Sequence, residues 1–180
     1  FCAKYQQMRR FVLLLLMPLL ANSVFGQAAE VPKREFRGAW IQAVNGQFKG
    51  MPTEQMQQTL TAQLNALQEA GINAIIFQVR PEADALYPSE IEPWSRFLTG
   101  EQGKAPSPSW DPMAWMIEEC HKRGMEFHAW INPYRAKTTL ASQLAPTHIY
   151  HTHPEWFVSY GDQLYFNPAL QESRDYICRI

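Results

Sequence analysis

The feature that most constrains the fold is a repeated alternation of short apolar strands with amphipathic helices. Three apolar segments have the length and composition of buried strands, at residues 36–44, 73–80 and 125–131. Apolar residues at helical spacing predict a helix over about 53–70, capped by Thr53, and a second helix from Asp111, its cap, to Gly124. Parallel strands need such crossover helices, so the sequence predicts an α/β fold with a parallel sheet.

The rest of the chain extends this pattern without completing it. We expect a helical turn over residues 140–144, and a hairpin or a fourth strand with an excursion in "EWFVSYGDQLYF". Another helix is expected from Pro168 onwards. A (β/α)8 barrel needs about 250 residues, whereas 154 residues follow position 26. The expected architecture over residues 27–180 is therefore the N-terminal half of a (β/α)8 TIM barrel. No glycine-rich loop follows the first strand, which weakens a nucleotide-binding alternative.

Residues 1–26 have the pattern of a leader and secretory signal peptide. Arg9 and Arg10 precede the ten-residue apolar run "FVLLLLMPLL", and small residues follow it as far as Gly26. The run is about half of the ~20 residues that a membrane span needs. We expect export to the periplasm or the extracellular space, cleavage after Gly26, and no stable membrane span in the processed chain. A buried core helix is the alternative.

Charge and cysteine content limit the partners that we expect. Residues 1–26 hold three of the 16 basic residues and none of the 17 acidic residues, so the processed chain has a net charge of −4. That charge is a poor match to a polyanion, and no nucleic acid partner is expected. Cys120 and Cys178 either form a disulfide, as an exported protein allows, or remain two free thiols. Their spacing fits no zinc motif.

Polar side chains gather where the three predicted strands end. In a (β/α)8 barrel the active site is built at this edge, from the strand ends and the loops that follow them. We therefore expect these groups to converge on one cleft. An alternative is that Arg80 and Arg135 pair with Glu82 and Asp84 and merely hold the loops. The polar residues at the three ends are Gln42 and Asn45; Gln78, Arg80, Glu82, Asp84 and Tyr87; and His128, Asn132, Tyr134 and Arg135.

The segment "HIYHTH" contains three histidines that are candidate zinc ligands, His148, His151 and His153. No strand or helix pattern fixes their positions, and Glu155 is the one nearby carboxylate. We expect no metal and no other cofactor. A metal-dependent deacetylase is the function that these histidines would support instead.

Four long segments, in this order, resemble the glycosyl hydrolase-like 10 family: "FRGAWIQAVN", "NAIIFQVRPEADALYPSEIEPWSRFLTGEQG", "WDPMAWMIEECHKRGMEFHAWINPYR" and "LYFNPALQESRDYI". The resemblance covers residues 34–180. Members of this family are exported bacterial (β/α)8-barrel proteins, and one acts on peptidoglycan glycan strands that lack stem peptides. The resemblance thus implies a glycosidase of cell-wall glycan or a related polysaccharide. A non-catalytic glycan-binding barrel is the alternative.

What the resemblance implies for catalysis lies mostly outside this chain. Glycoside hydrolysis uses two carboxylates, roughly 5–9.5 Å apart, that flank the scissile bond. Family members usually carry an acidic pair in an Asp-Asp-Tyr type motif at the end of the next strand, which would follow Ile180. Within the chain, Asp84 is the one catalytic candidate that we retain. At the position of Glu82 the family more often has a small residue or Thr, so no special role is expected for Glu82.

Substrate contacts are expected from nine residues at the strand ends. Three aromatic side chains, Trp94, Trp130 and Tyr134, can stack on sugar faces. Arg80, Asn132 and Arg135 can bond hydroxyl or carboxyl groups. The remaining members of the predicted set are Gln78, Tyr87 and His128.

Overall fold

The computed structural model describes residues 35–180, and the predicted leader and cleavage site lie outside these residues. Three parallel strands pair in the order β1-β2-β3: β1 (Gly38–Ile41), β2 (Ala74–Arg80) and β3 (Glu126–Ile131). Helix α1 (Thr53–Glu69) connects β1 to β2. The short α2 (Arg96–Thr99) and then α3 (Pro112–Lys122) connect β2 to β3. The predicted α/β class is confirmed, and the sheet has the strand order and crossover helices of one sector of a (β/α)8 barrel.

The two long helices differ in how they begin. Asp111 caps α3 as predicted, since its Oδ1 accepts a hydrogen bond of 3.0 Å from the amide of Ala114. The predicted cap of α1 is wrong. Pro52 occupies the capping position without a side-chain bond, and Thr53 is the first helical residue. The Thr53 hydroxyl instead donates to the carbonyl of Pro108 at 3.3 Å, which ties α1 to the loop before α3.

The two faces of the parallel sheet have different surroundings. Alternate residues of a strand point to opposite faces. Ile75, Phe77 and Val79 pack into the core formed with α1 and α3. On the opposite face, Trp40 pairs in register with Ile76, and Gln78 pairs with Trp130. Trp40 is 74% exposed. We call this surface the open face; it carries Trp40, Ile76, Gln78, His128 and Trp130.

A small antiparallel sheet follows the parallel one. Its strands β4 (Arg135–Lys137), β5 (Phe157–Tyr160) and β6 (Gln163–Phe166) pair in the order β4-β6-β5. The predicted hairpin is confirmed as β5–β6, whereas its pairing with β4 was not foreseen. The expected helical turn over residues 140–144 is wrong: residues 140–141 form a turn, and residues 142–144 are irregular. The 3-10 turns are Ile149–His151 and Pro154–Trp156, and the last helix, α4, is Gln171–Ile177.

A second core lies under the small sheet. Leu164 and Phe166 of β6 pack there with Ala83, Ala136 and Tyr176, and the ring of Phe166 stacks on that of Tyr176 at 5.6 Å. Helix α4 is therefore held to β6 by aromatic contact. This core fixes the small sheet beside the segment that leaves β2.

The two cysteines of the described region are free thiols, with Cys120 buried and Cys178 exposed. The disulfide that the sequence left open is therefore not formed. Burial raises the pKa of the Cys120 thiol to about 11, so this group stays protonated at neutral pH. No helix within residues 35–180 is both long and apolar enough to cross a membrane.

Candidate functional site

The carboxyl end of β2 is built around a buried ion pair. Arg80 is 1% exposed, and its Nε and Nη2 donate to the two carboxylate oxygens of Glu92 at 2.7 and 2.6 Å. Its Nη1 donates to the carbonyls of Asn132 and Pro133 at 2.7 and 3.1 Å. The hydroxyl of Tyr176 also donates to Glu92, at 3.4 Å. One guanidinium thus joins the loop after β2 to the residues that leave β3, and Glu92 extends the connection to α4.

The segment "NPYR" after β3 belongs to the same framework. The amide of Asn132 donates to the carbonyl of Arg80 at 2.9 Å. Its side-chain Nδ2 donates to the carbonyl of Pro81 at 3.1 Å, and its Oδ1 accepts from the indole of Trp130 at 3.0 Å. Asn132 therefore fastens the end of β3 to the end of β2 and orients Trp130. Arg80, which has almost no exposed surface, has the same structural role: it joins the ends of β2 and β3.

Glu82 forms a second buried ion pair, with Arg96. The Nε and Nη2 of Arg96 donate to the two carboxylate oxygens of Glu82 at 2.6 and 3.0 Å. The amide of Thr138 donates to the same carboxylate at 2.5 Å. Burial alone would raise the pKa of Glu82, but the bonds from Arg96 and Thr138 hold that pKa below its ordinary value. The suggested pairing of Arg80 with Glu82 or Asp84 is wrong, because Arg80 pairs with Glu92. Glu82 has a clear structural role, contrary to expectation.

Asp84 lies next to this pair with no exposed surface. Its Oδ1 accepts from the amide of Glu82 and its Oδ2 from Nε2 of Gln102, each at 3.0 Å. Gln102 in turn accepts from the amide of Ala145 at 2.9 Å. Burial raises the pKa of Asp84 to about 7, and the Glu82 charge acts in the same direction. In this conformation Asp84 cannot contact a glycan, so its position is that of a buried connector rather than a catalyst.

The three histidines of "HIYHTH" are held by separate contacts. His148 is buried, its Nδ1 accepts from the amide of Tyr150 at 3.1 Å, and burial lowers its pKa to about 4. The ring of His153 stacks on Trp156 at 3.9 Å, while His151 is exposed. Within residues 35–180, no group of three or more His, Cys, Asp or Glu side chains is arranged to hold a metal ion.

A cleft lies along β1, beside α1. It is a groove of about 620 Å³. The indoles of Trp40 and Trp130 lie 6.3 Å apart, inclined at 46°. Gln63 donates to Gln47 at 3.1 Å, so two of the amides are already oriented. We call this cleft the Trp40 groove; its polar and aromatic lining consists of Trp40, Gln42, Asn45, Gln47, Gln63 and Trp130.

Gln78 supports the groove from within the sheet. Its Oε1 accepts from the amides of Ala43 and Val44 at 2.9 and 3.2 Å, which fixes the chain as it leaves β1. Its Nε2 is buried and has no hydrogen-bond partner among residues 35–180. A buried donor without an acceptor is destabilising.

The nine predicted contact residues do not form one cluster. Trp130 lines the Trp40 groove with Gln78 beside it in the sheet, and His128 follows on the same face. His128 is exposed, bonded to Glu126 at 3.0 Å and packed edge-on against Phe36. Trp94 lines a separate pocket of about 200 Å³ with Glu92.

Three further members of the predicted set lie elsewhere. Tyr87 is half-buried, and burial together with the Glu92 carboxylate raises its pKa above the ordinary value. Tyr134 is exposed and precedes β4, while Arg135 is the first residue of that strand.

Sequence reasoning missed several residues of the site. The predicted buried strand over residues 36–44 does not single out Trp40, although Trp40 shares one face of the strand with Gly38 and Gln42 while Ala39 and Ile41 lie on the other. Gln63 belongs to the polar side of α1, which carries no local sign of a cleft. Glu92 and Arg96 lie in a loop whose path the sequence pattern does not define.

Comparison with known proteins identifies the family. Residues 35–180 match Glycosyl hydrolase-like 10. The chain belongs to the glycosyl hydrolase-like 10 family. Glycosyl hydrolase YngK of Bacillus subtilis strain 168 is 42% identical over 176 residues, which cover 94% of this chain and 34% of that protein. Glycosyl hydrolase DigH of Escherichia coli strain K12 is 40% identical over 136 residues, which cover 69% of this chain and 30% of that protein.

The chain spans about a third of the length of these two relatives. Among solved structures, a noncanonic maltogenic alpha-amylase AmyB from Thermotoga neapolitana has a TM-score of 0.49 at 15% identity, covering 80% of this chain and 35% of that one.

We expect Glu92→Gln to destabilise this glycosyl hydrolase-like 10 chain strongly. The substitution leaves the buried charge of Arg80 without its counter-charge, which costs about 3–5 kcal/mol. Urea unfolding measures the change. Glu155→Gln removes a carboxylate from the exposed pair with His153 and is the matched control, for which little change is expected. Equal stability of the two variants would contradict the role assigned to Glu92.

Asp84→Asn is expected to change how stability depends on pH. The folded pKa of Asp84 is about 7 against an ordinary 3.8, so between about pH 4 and pH 7 the folded chain keeps a proton that the unfolded chain has released. Rising pH in this window therefore lowers the free energy of unfolding. The lowered pKa of His148, about 4 against 6.5, acts in the opposite direction. As pH falls through that range the unfolded chain binds a proton at His148 before the folded chain does, so the free energy of unfolding decreases.

The difference in unfolding free energy between variant and wild type separates these two effects. Since His148 is common to both proteins, Asp84→Asn should gain stability relative to wild type from pH 4 to pH 7 and level off above pH 7. Urea titrations at unit pH steps provide the measurement. A difference that stays constant with pH would show that Asp84 does not titrate in this window.

Proposed function

We propose that this chain forms the glycan-binding part of a glycoside hydrolase that acts on bacterial cell-wall glycan, namely peptidoglycan strands or a related polysaccharide. The observation that carries the proposal is the Trp40 groove. It combines two neighbouring indoles with four side-chain amides in a cleft of about 620 Å³. Membership of a glycosyl hydrolase-like family supports a glycoside as the substrate.

The groove has the two kinds of group that a sugar ring needs. A pyranose presents apolar C–H faces, which pack on aromatic rings, and hydroxyl edges, which need donors and acceptors. Trp40 is 74% exposed among residues 35–180, so its ring is accessible in this part of the fold. Amides of Gln and Asn both donate and accept, which suits hydroxyl groups better than a purely charged lining does. The volume is within the ordinary range of ligand sites, about 300–1,000 Å³.

We propose further that the catalytic carboxylates come from sequence outside this chain. The residues that line the groove include no Asp or Glu, and Asp84 is buried away from solvent. The two relatives are roughly three times as long as the matched segment and are named glycosyl hydrolases. In such a protein this segment would hold the glycan while two carboxylates supplied by later strands cleave it.

The signal-peptide pattern of residues 1–26 is consistent with a substrate outside the cytoplasm, and we propose an exported, periplasmic or extracellular protein. A non-catalytic glycan-binding barrel is the second candidate, and a groove lined by neither Asp nor Glu fits both candidates. Turnover of glycan strands by a protein that contains residues 35–180 and has the length of the curated relatives separates the two. Binding without cleavage would support the second candidate.

Trp40→Ala is expected to weaken binding of glycan strands stripped of stem peptides by roughly tenfold, because a ring that stacks on sugar contributes more than about 1 kcal/mol of apolar contact. Isothermal titration calorimetry measures the affinity. Trp115→Ala, which removes a half-buried indole that packs against Trp110, is the matched control and should retain wild-type affinity.

Trp40 is preferred to Trp130 as the site of this substitution, because Trp130 also bonds Asn132. A thermal melt within a few degrees of wild type establishes that the fold is kept. If Trp40→Ala binds as tightly as Trp115→Ala, the groove is not the glycan site.

A further inference from the structure

Arg135 differs from Arg80 and Arg96, the other arginines near the strand ends, because within residues 35–180 no carboxylate pairs with its guanidinium. Arg80 and Arg96 each form a two-point ion pair with a glutamate. Arg135 is half-buried, its Nε is fully buried, and no acceptor for it is present among residues 35–180. The described part of the chain forms no ion pair with this side chain. The charge of this side chain therefore has no counter-charge in the described part of the chain, and an anionic ligand at the terminal nitrogens of the guanidinium would supply one.

The register of the small sheet places Arg135 on an exposed surface with aromatic neighbours. Arg135 pairs with Tyr165, and Tyr165 pairs with Val158. The alternate residues Leu164 and Phe166 face the core, so these three side chains lie on the opposite face. Tyr160 pairs with Gln163 on that same face and is 81% exposed. We call this surface the β-platform; it consists of Arg135, Val158, Tyr160, Gln163 and Tyr165.

The polar groups near the β-platform leave Arg135 without a competing anion. Tyr165 donates its hydroxyl to Gln163, which holds both side chains against the sheet. The acidic residue of the β5–β6 turn, Asp162, accepts from the Thr139 hydroxyl at 2.7 Å and from the Leu140 amide at 3.3 Å. Within the part of the chain that the structure describes, the surface therefore combines a cation that has no counter-charge with exposed aromatic and amide groups.

We propose that the β-platform binds a carboxylate-bearing saccharide, with the guanidinium of Arg135 donating to the carboxylate and Tyr160 or Tyr165 packing on the sugar ring. The planar guanidinium matches a carboxylate at two points, which gives it specificity for that anion. The proposal rests on the proposed function in one respect, that the ligand is a glycan. It makes two further claims: the recognised sugar unit carries a negative charge, and it binds at a surface separate from the Trp40 groove.

The first test compares one glycan in two charge states. Stripped glycan strands carry free carboxylates, and amidation of those carboxylates with a carbodiimide and methylamine gives a neutral probe of the same length. Wild type should bind the acidic strands on the order of tenfold more tightly. Arg135→Ala should lose this preference, and Arg135→Lys should keep part of it. Arg123→Ala removes the same charge from the C-terminal end of α3, where Arg123 pairs with Glu119, and this variant should bind as wild type does.

Two further probes identify the source of the carboxylate. Oligogalacturonate carries its carboxylates on the sugar ring, and a chitin oligosaccharide carries none. Preference for stripped strands over oligogalacturonate assigns the site to a carboxylate attached outside the ring. The proposal is overturned if wild type binds acidic and amidated strands equally, or if Arg135→Ala lowers both affinities by the same factor.

A second measurement keeps this outcome separate from the proposed function. The Nε–H signal of Arg135 in an NMR spectrum, assigned from its absence in Arg135→Lys, should shift when glucuronate is added. If no glycan strand binds but this signal shifts, the glycosidase proposal fails and carboxylate recognition stands. If glycans bind and the signal does not respond to any carboxylate probe, carboxylate recognition by Arg135 is refuted.

Discussion

The buried ion pair between Arg80 and Glu92 is the interaction on which the arrangement of the strand ends depends. A charge in this position is tolerated because four of its N–H groups find acceptors, two on Glu92 and two on the carbonyls of Asn132 and Pro133. The pair is weak evidence for high stability, since an apolar replacement can be equally stable. Its contribution is geometric: it fixes where the long loop after β2 and the segment after β3 leave the sheet.

Polar residues of the chain divide into a buried framework and an accessible surface. Glu82, Asp84, Arg96 and Gln102 satisfy one another and connect the loop after β2 to residues 138–148. The open face of the sheet instead offers Trp40 and the amides beside it to solvent. A loop held by internal ion pairs keeps its shape without a ligand, which is the condition for a preorganised glycan site.

Local patterns in the sequence predicted the parts of the fold that depend on local physics. The order of strands and helices, the cap at Asp111 and the hairpin of "EWFVSYGDQLYF" follow from periodicity and turn chemistry. The partner of Arg80 cannot be predicted from such patterns. Glu82, Asp84 and Glu92 all lie close to Arg80 in sequence, and the path of the loop determines that Glu92 is the one that pairs with it. The residue type of Thr53 favours a capping position, but Pro52 occupies that position and the Thr53 hydroxyl donates to the carbonyl of Pro108. Trp40 was missed because one face of the sheet is open.

The indole N–H signals of the six tryptophans test the central claim, that glycan binds at the Trp40 groove, in a single NMR titration with stripped glycan strands. Trp110 and Trp115 pack against each other at 5.8 Å, and Trp156 stacks on His153, so these three serve as internal references. The account predicts that the signals of Trp40 and Trp130 shift together while the three reference signals stay in place. Shifts confined to the reference tryptophans, with Trp40 and Trp130 unchanged at saturating glycan, would contradict it.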